Sequence, residues 1–339
     1  MRFRELEKIF VWIIKIGLWA IPFLPLYVSY TMLFPFITGK NFAFRIIVEI
    51  IFALWVGLAF FKSEYRPRLS PIFKAITAFI VILFLADLFS PNPYRSFFSN
   101  YERMEGFMMI FHLYLYFIML MGVFKARRDW LVFFYSTLAA SFFVSIIALL
   151  QKFGLRVSLQ GGFRVDSTIG NPAYLAAYLV FHVWLALYLL RQFWNKWWLR
   201  IVYSLLFIFY LLIIYFTATR GTIIALVAVF FLFTAAIIWL WPKIFSAVSG
   251  FRRKLAAIGL AVFILIPLAL FVLRDKNFIV SNTVLQRLTT ISFSDKTTQA
   301  RFAIWGMSFK GALDRPILGW GPDNYYLIFQ KYFDPKLYS

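Results

Sequence analysis

The chain has 339 residues, of which 63% are hydrophobic and 22% are aromatic, and its formal net charge at pH 7 is +21. It contains no cysteine, which excludes a disulfide framework, a cysteine-ligated metal site and a thiol nucleophile. The positive charge forms no basic stripe on a soluble domain and no nucleic-acid-binding motif is present, so nucleic acid is not an expected partner.

Long apolar runs fill most of the chain and predict a polytopic membrane protein. A helix needs about 20 mainly apolar residues to cross the hydrocarbon core of a bilayer, and strand-like alternation is absent from these runs. We therefore predict an all-α transmembrane bundle over residues 1–273, followed by a large helical outer segment over 274–339. The nine predicted spans cover residues 9–28, 43–61, 71–89, 106–124, 131–150, 173–190, 201–217, 222–241 and 255–273.

The basic residues between the spans predict the orientation of the chain. Most of them lie before the first span and after the second, fourth, sixth and eighth spans, whereas the alternate loops carry fewer. Because cytoplasmic loops are enriched in lysine and arginine, the N-terminus is predicted to be cytoplasmic. Residues 90–105, 151–172 and 274–339 then lie outside the cytoplasmic (inner) membrane, and polar chemistry is expected on these outer segments.

Residues 297–313 predict an amphipathic helix in the last outer segment. Their apolar side chains recur every three or four residues, as on one stripe of a helix. The stripe consists of Phe302, Trp305, Phe309 and Leu313. Such a helix is suited to the membrane interface. No further span or obvious cap precedes Ser339, so we expect the native protein to continue beyond this residue.

Arg220 lies in a short turn between the seventh and eighth predicted spans. One interpretation is an interfacial anchor, whose aliphatic stem lies in the membrane while its guanidinium reaches water. The other is an anion clamp, because a guanidinium fork binds phosphate oxygens bidentately. The short turn would hold Arg220 at the level of the lipid head groups under either interpretation.

Arg103 and Glu105 precede the fourth predicted span. They are either solvated charges in the first turn of a helix capped by Ser99 or Asn100, or residues that contact a lipid-linked anionic substrate. Both interpretations stay open from the residues alone.

Two further outer segments carry candidate residues. Asn171 and Pro172 predict a helix N-terminus, with asparagine as the cap and proline at the first helical position. This structural interpretation accounts for Asn171 but not for Arg164, which lies earlier in the same segment. Arg301 begins the amphipathic stripe, where it is either a surface charge supporting the ring of Trp305 or a second phosphate ligand.

Few ionisable side chains lie inside the predicted spans, and burial in hydrocarbon is costly enough to make each a functional candidate. They are Lys15, Arg45, Glu49, Lys74, Asp87, His112 and His182. The three cations lie near span ends and are predicted to snorkel, while Glu49 is spaced to pair with Arg45 on one helix face. Asp87 is expected to face a cavity, and the two histidines are expected to be hydrogen-bonded packing residues.

Six motifs, in this order and each on the appropriate side of the membrane, resemble the O-antigen ligase/polymerase-like family. They are FPFITGK (34–40), YRPRLS (65–70), SFFSNYERMEG (96–106), STIGNPAYLAAYL (167–179), TATRGT (217–222) and the stretch over 300–333. The resemblance spans nearly the whole chain. It implies a membrane glycosyltransferase of the cell envelope that moves a glycan from undecaprenyl diphosphate to an acceptor on the outer face of the membrane, without metal and with inversion.

The resemblance also implies the site residues. Arg220 matches the functional arginine after the seventh span, and Arg301 matches the arginine of the large outer segment, so these two are the expected catalytic residues. The expected substrate-binding residues are Arg103, Arg164, Asn171 and Glu105. The family uses a histidine later in the outer segment, but no histidine follows His182, so the catalytic base remains unassigned.

The implied partners are the undecaprenyl-diphosphate-linked glycan donor, membrane lipids, and an acceptor that is lipid A–core, a growing glycan or a protein. No metal-ligand spacing and no P-loop occurs, so neither a metal nor another cofactor is expected. A repeat-unit polymerase and a protein O-oligosaccharyltransferase are alternatives within the family. A lipid-linked glycan flippase or transporter is the alternative of another class, disfavoured by the lack of an internal repeat.

Overall fold

The computed structural model describes residues 2–101, 103–158, 162–244, 272–289 and 296–335, together with residues 261, 265 and 269. Over these residues its regular secondary structure is entirely helical. The chain divides into two compact units. Unit 1 consists of Met1–Ala140 and Phe293–Ser339, and unit 2 consists of Ser141–Ser292.

The described helices follow the apolar runs of the sequence, and short helices are added in the segments that separate and follow these runs. In chain order they are α1 (Arg2–Ala20), α2 (Thr38–Phe61), α3 (Pro71–Leu88), α4 (Pro93–Phe98), α5 (Phe107–Val123), α6 (Arg127–Lys152), α7 (Pro172–Gln192), α8 (Trp197–Phe216), α9 (Arg220–Ile244), α10 (Asn277–Val280), α11 (Thr283–Thr289), α12 (Lys296–Asp314) and α13 (Tyr325–Lys331). A 3₁₀ turn, Ile21–Leu26, continues α1.

Six of these helices are long and apolar enough to cross a membrane: α1 with its 3₁₀ turn, α2, α3, α6, α7 and α8. The apolar helix α5 and the first part of α9 are shorter. The all-helical, multi-pass architecture is therefore confirmed, and the count of nine spans is compatible with it. The ninth predicted span, 255–273, lies almost entirely outside the described residues.

Helices α1, α2 and α5 form the centre of unit 1, where Leu18, Val48 and Met119 are fully buried. Gly17 lets α1 approach α2 closely, because a Cβ atom at this position would lie 2.6 Å from Cγ2 of Ile51. Small residues allow such close backbone approach between helices in a membrane, where dispersion contacts drive packing. Gly17 therefore lies in the interface between α1 and α2.

Lys15 does not snorkel as predicted, because it forms an ion pair inside unit 1. Its Nζ lies 2.7 Å from Oδ1 of Asp129, at the start of α6. The second carboxylate oxygen of Asp129 accepts the backbone N–H groups of Lys125 and Ala126, each at 3.2 Å. A carboxylate at a helix N-terminus is favourable by itself, and here it also binds α1.

Glu49 is paired with a residue other than Arg45. Nε2 of His112 lies 2.9 Å from Oε1 of Glu49, and Nδ1 lies 2.6 Å from the carbonyl oxygen of Met108. The predicted packing role of His112 is confirmed, since this buried ring joins α5 to α2. Arg45 instead contacts Sδ of Met104 and the ring of Phe42.

The amphipathic helix predicted over 297–313 is confirmed as α12. Its apolar stripe is exposed, with 62% of Trp305 and 67% of Phe309 accessible. Its other side packs on α13: a Cβ atom at Gly311 would lie 2.6 Å from Cγ2 of Ile328. The exposed stripe is thus free to lie against lipid while α13 holds the helix from the opposite side.

Candidate functional site

The turn before Arg220 is a defined structure at the end of α8. Thr217 donates its hydroxyl to the carbonyl oxygen of Ile214 at 2.6 Å, and its backbone N–H also bonds back into α8. Ala218 then adopts a φ of +48°, a left-handed conformation that costs about 1 kcal/mol or more for a residue with a side chain. This residue reverses the chain, so that α9 begins at Arg220.

Arg164 binds this turn from the segment that precedes α7. Its Nε donates to the carbonyl oxygen of Thr217 at 2.8 Å, and its Nη2 donates to Oγ1 of Thr219 at 3.0 Å. The Thr219 hydroxyl also lies 3.3 Å from the carbonyl oxygen of Pro172. The structure therefore brings two of the predicted site residues, Arg164 and Arg220, to one turn of unit 2.

A buried hydrogen-bond network holds the segment that carries Arg164. The Gln151 side chain bonds Asp166 in both directions, accepting its N–H at 3.2 Å and donating to Oδ1 at 2.9 Å. Ser158 donates to Oδ2 of Asp166 at 2.7 Å, and Ser167 donates to the carbonyl oxygen of Val144 at 2.6 Å. Because Asp166 is only 1% exposed, this network fixes the backbone close to Arg164.

Asn171 is the N-cap of α7, as the sequence predicts. Its Oδ1 accepts the N–H of Ala173 at 2.8 Å, Pro172 is the first helical residue, and Gly170 has a φ of +76°. The cap uses only the oxygen of the amide.

Arg287, at the last turn of α11, is a residue that sequence reasoning missed. Its guanidinium carbon lies 5.9 Å from the ring centre of Phe163, next to Arg164 in the sequence. Burial and the nearby charge of Arg287 hold the pKa of Arg164 below its ordinary value. Nothing in the local sequence QRLTT distinguishes this arginine, and its only signal in the sequence is its position in the segment 274–339, which is predicted to lie outside the membrane.

Arg103 and Glu105 lie in unit 1, where both are exposed. The predicted helix cap is wrong: α5 begins after Gly106, which makes no side-chain cap. Asn100 instead accepts the N–H of Arg103 at 2.8 Å, within the loop, while Asn41 donates to the carbonyl oxygen of Arg103 at 2.8 Å. The loop is thereby hydrogen-bonded to α2, while the side chains of Arg103 and Glu105 remain exposed.

Arg301 is exposed on α12, also in unit 1. In the described part of the chain it makes no hydrogen bond or ion pair, and no cation–π contact with Trp305 is present. Its predicted support of the Trp305 ring is therefore not observed.

The fold and the site define the class of this protein. It is a polytopic helical membrane protein in which the turn between two helices, α8 and α9, carries an arginine. Residues 205–339 match the family model described as O-Antigen ligase. This part of the chain is therefore similar to that family, and the match supports, in general terms, a membrane glycosyltransferase of the O-antigen ligase/polymerase type. The match contains the Arg220 turn, Arg287 and α12, whereas the four motifs before residue 205 lie outside it. No curated protein and no solved structure matches the chain.

Proposed function

We propose that the protein transfers a glycan from undecaprenyl diphosphate to an acceptor on the outer face of the cytoplasmic membrane. The observation that carries this proposal is the double hydrogen bond from Arg164 to Thr217 and Thr219, which fastens the turn that starts α9 with Arg220. In this proposal the N-terminus is cytoplasmic, residues 1–273 form the membrane bundle and residues 274–339 form the outer segment.

The chemistry needs positive charge more than acid catalysis. The acceptor hydroxyl oxygen forms a bond to the anomeric carbon, the bond from that carbon to the diphosphate oxygen breaks, and the diphosphate leaves with the electron pair. The hydroxyl proton passes to a base. Fixed guanidinium groups stabilise the developing charge without metal, and direct displacement inverts the anomeric centre.

The position of Arg220 suits a diphosphate. It is the first residue of α9, and the first N–H groups of a helix, together with its dipole, favour an anion. A guanidinium at this end adds a bidentate donor. We assign Arg220 the stabilisation of the leaving diphosphate.

The remaining assignments rest on the resemblance and on accessibility. Arg301 is the second catalytic arginine, and its exposed guanidinium is available to a phosphate. Arg103 and Glu105 are substrate-binding residues on an exposed loop. The Oδ1 atom of Asn171 accepts the N–H of Ala173 in the helix cap, and its Nδ2 group is available to bind the substrate.

The test is release of undecaprenyl diphosphate from a lipid-linked oligosaccharide in proteoliposomes, with and without acceptor. Arg220→Ala and Arg220→Lys are compared with Arg200→Lys, whose guanidinium lies 5.3 Å from the Trp194 ring centre at the start of α8, far along the chain from the turn. Both Arg220 variants are expected to lose acceptor-dependent release, because lysine lacks the guanidinium fork, while Arg200→Lys keeps it.

Two results would overturn this proposal. Near-normal release by Arg220→Lys would make Arg220 an interfacial anchor, and passage of the intact donor across the bilayer without release would identify a transporter. If release depends on acceptor, the acceptor that supports it separates the activities. Release with lipid A–core as the acceptor would indicate a ligase, and release with a growing lipid-linked glycan would indicate a polymerase. Release with a protein as the acceptor would indicate an O-oligosaccharyltransferase.

A further inference from the structure

Two arginines in unit 2, Arg164 and Arg287, lie close together. The guanidinium carbon of Arg287 lies 5.9 Å from the ring centre of Phe163, the residue before Arg164, and the charge of Arg287 acts on Arg164. Within the described part of the chain neither residue forms an ion pair. The nearest carboxylate in the sequence, Asp166, is already bonded to Gln151 and Ser158. Because like charges repel, a group of opposite charge bound between the two guanidinium groups would stabilise the pair.

Arg287 also has a buried donor without an acceptor. Its Nε is inaccessible to solvent and has no hydrogen-bond partner among the residues that the structure describes. A buried N–H group without an acceptor lowers the stability of a protein by about 1–3 kcal/mol, and by more when the group is charged. Such a group is therefore expected to bind an acceptor from a ligand. Arg164 uses two N–H groups on the turn, and since a guanidinium has five, donors remain on that side too.

The position of Arg287 is built into the fold. Asn282 caps α11, since its Oδ1 accepts the N–H groups of Val284 and Leu285 at 3.1 and 3.2 Å. The same oxygen accepts the hydroxyl of Tyr215 at 3.2 Å, and Tyr215 lies in the last turn of α8. Ile279, on α10 just before the cap, is fully buried. Helix α11 is therefore anchored to the end of α8, next to the turn that Arg164 binds.

We propose that Arg287 and Arg164 form a binding site for a dianionic phosphate group, and that its occupant is the diphosphate of the lipid-linked donor. This inference rests on the proposed function for the identity of the occupant. Phosphate oxygens supply the counter-charge for both guanidinium groups and the acceptor for the buried Nε of Arg287. Arg220, one residue beyond Thr219, contacts the same diphosphate from the turn.

The test is direct binding to the full-length protein in nanodiscs, measured without any transfer reaction. The probes are farnesyl diphosphate, farnesyl monophosphate, farnesol and inorganic pyrophosphate. The variants are Arg287→Gln and Arg287→Lys, and the control is Arg274→Gln, an exposed arginine of the same outer segment whose Nε lies 3.6 Å from Asp275.

Arg287→Gln is expected to bind farnesyl diphosphate roughly tenfold to a hundredfold more weakly, the loss typical of a charged hydrogen-bond pair. Arg287→Lys should bind with intermediate affinity, because it keeps charge but loses the fork. Farnesol binding and the Arg274→Gln control should not change. Pyrophosphate binding as tight as that of farnesyl diphosphate would identify a free-phosphate site and overturn the assignment to the lipid donor.

A second readout separates binding from damage to the fold. Without ligand, Arg287→Gln should melt at the same temperature as the wild type or higher, because the repulsion with Arg164 is gone. Farnesyl diphosphate should then raise the melting temperature of the wild type but not that of the variant. An unliganded melting temperature well below the wild-type value would show that Arg287 is structural and would overturn the site.

The binding and transfer experiments fail independently. Unchanged diphosphate affinity in Arg287→Gln overturns this inference and leaves the transferase proposal standing. Diphosphate binding that depends on Arg287, in a protein that releases no undecaprenyl diphosphate, supports the site and overturns the transferase proposal.

Discussion

Asn324 donates its side-chain amide to Oγ of Ser96 at 2.8 Å and so joins two segments of the chain, since these residues are 228 positions apart in the sequence. The same amide donates to the carbonyl oxygen of Trp320 at 2.8 Å, and Ser96 donates onward to Ser90 at 2.9 Å. Asn324 and Ser96 are both fully buried. The turn before α13 is thereby fixed on α4, within unit 1.

Replacement of Asn324 by leucine is expected to destabilise unit 1 by about 1–3 kcal/mol, because Ser96 and the Trp320 carbonyl group lose a buried partner. The exposed Gln330 provides the control, and Gln330→Leu should leave stability nearly unchanged. Thermal melts in detergent measure the difference. Equal melting temperatures for the two variants would show that this bond contributes nothing to the fold.

Two glycines in the turn before α13 allow a matched comparison of alanine substitutions. Gly319 and Gly321 have φ values of +68° and +78°, so alanine is strained at either position. A Cβ atom at Gly319 would meet nothing within 4 Å, whereas one at Gly321 would lie 2.5 Å from Oγ of Ser96 and 2.8 Å from Cβ of Ser90. Gly321→Ala should therefore cost about 1–3 kcal/mol more than Gly319→Ala. Equal losses of stability would mean that the backbone strain alone matters.

The ion pair between Lys15 and Asp129 should show unequal single mutants. Their side chains are 18% and 8% exposed, and removing one partner of a buried pair costs about 3–5 kcal/mol. Asp129→Ala should be the more destabilising change, because it also removes the acceptor for the N–H groups of Lys125 and Ala126. A double-mutant cycle with Lys15→Met measures the coupling, and a coupling near zero would argue against the pair.

The contact between Arg164 and the turn predicts a graded loss of transfer. Arg164→Lys removes the fork that spans Thr217 and Thr219, and a small displacement of a catalytic turn can lower turnover by about a hundredfold. Thr219→Val removes only the second acceptor and should have a smaller effect. The two changes should be less than additive in kcat/KM for undecaprenyl diphosphate release. Full additivity would indicate that Arg164 acts independently of Thr219.

The link between α12 and α13 should depend on acid pH. The Lys331 ammonium, at 2.8 Å, and the Tyr332 hydroxyl donate to Asp314 and hold the pKa of its carboxyl below the ordinary value. A carboxyl whose pKa is lower in the folded state stabilises the fold above its unfolded pKa of about 3.9, and that stabilisation disappears as the pH falls further.

The stability difference between the wild type and Asp314→Asn should therefore be constant from neutral pH to about pH 5 and shrink below about pH 4. Melting temperatures across this range measure it, and Asp275→Asn, at an 89% exposed side chain, is the control. A difference that persists unchanged at low pH would exclude the carboxylate as its source.

Local signals in the sequence were sufficient for several elements. The spacing of Phe302 and Trp305 predicted α12, because a helix repeats every 3.6 residues and shows its stripe over two turns. Asn171 followed by Pro172 predicted the start of α7, because both the cap and the fixed φ of proline act within one turn. The prediction that Ser99 or Asn100 caps α5 was wrong. Asn100 accepts the N–H of Arg103 within the loop, and the helix begins only after Gly106.

Hydropathy, which is a property of consecutive residues, determined from the sequence by itself that this is a multi-pass helical membrane protein, and the motifs indicated its similarity to the O-antigen ligase family, which residues 205–339 match. Only the tertiary structure decided which charges meet. The partner of Lys15 lies 114 residues away, and the turn held by Arg164 lies 53 residues away. The fold likewise placed Arg287 near Phe163 and Arg164, which are more than 100 residues earlier in the chain. Coulomb energy and hydrogen bonding depend on distances in space, which helix packing sets and which no local spacing in the chain encodes.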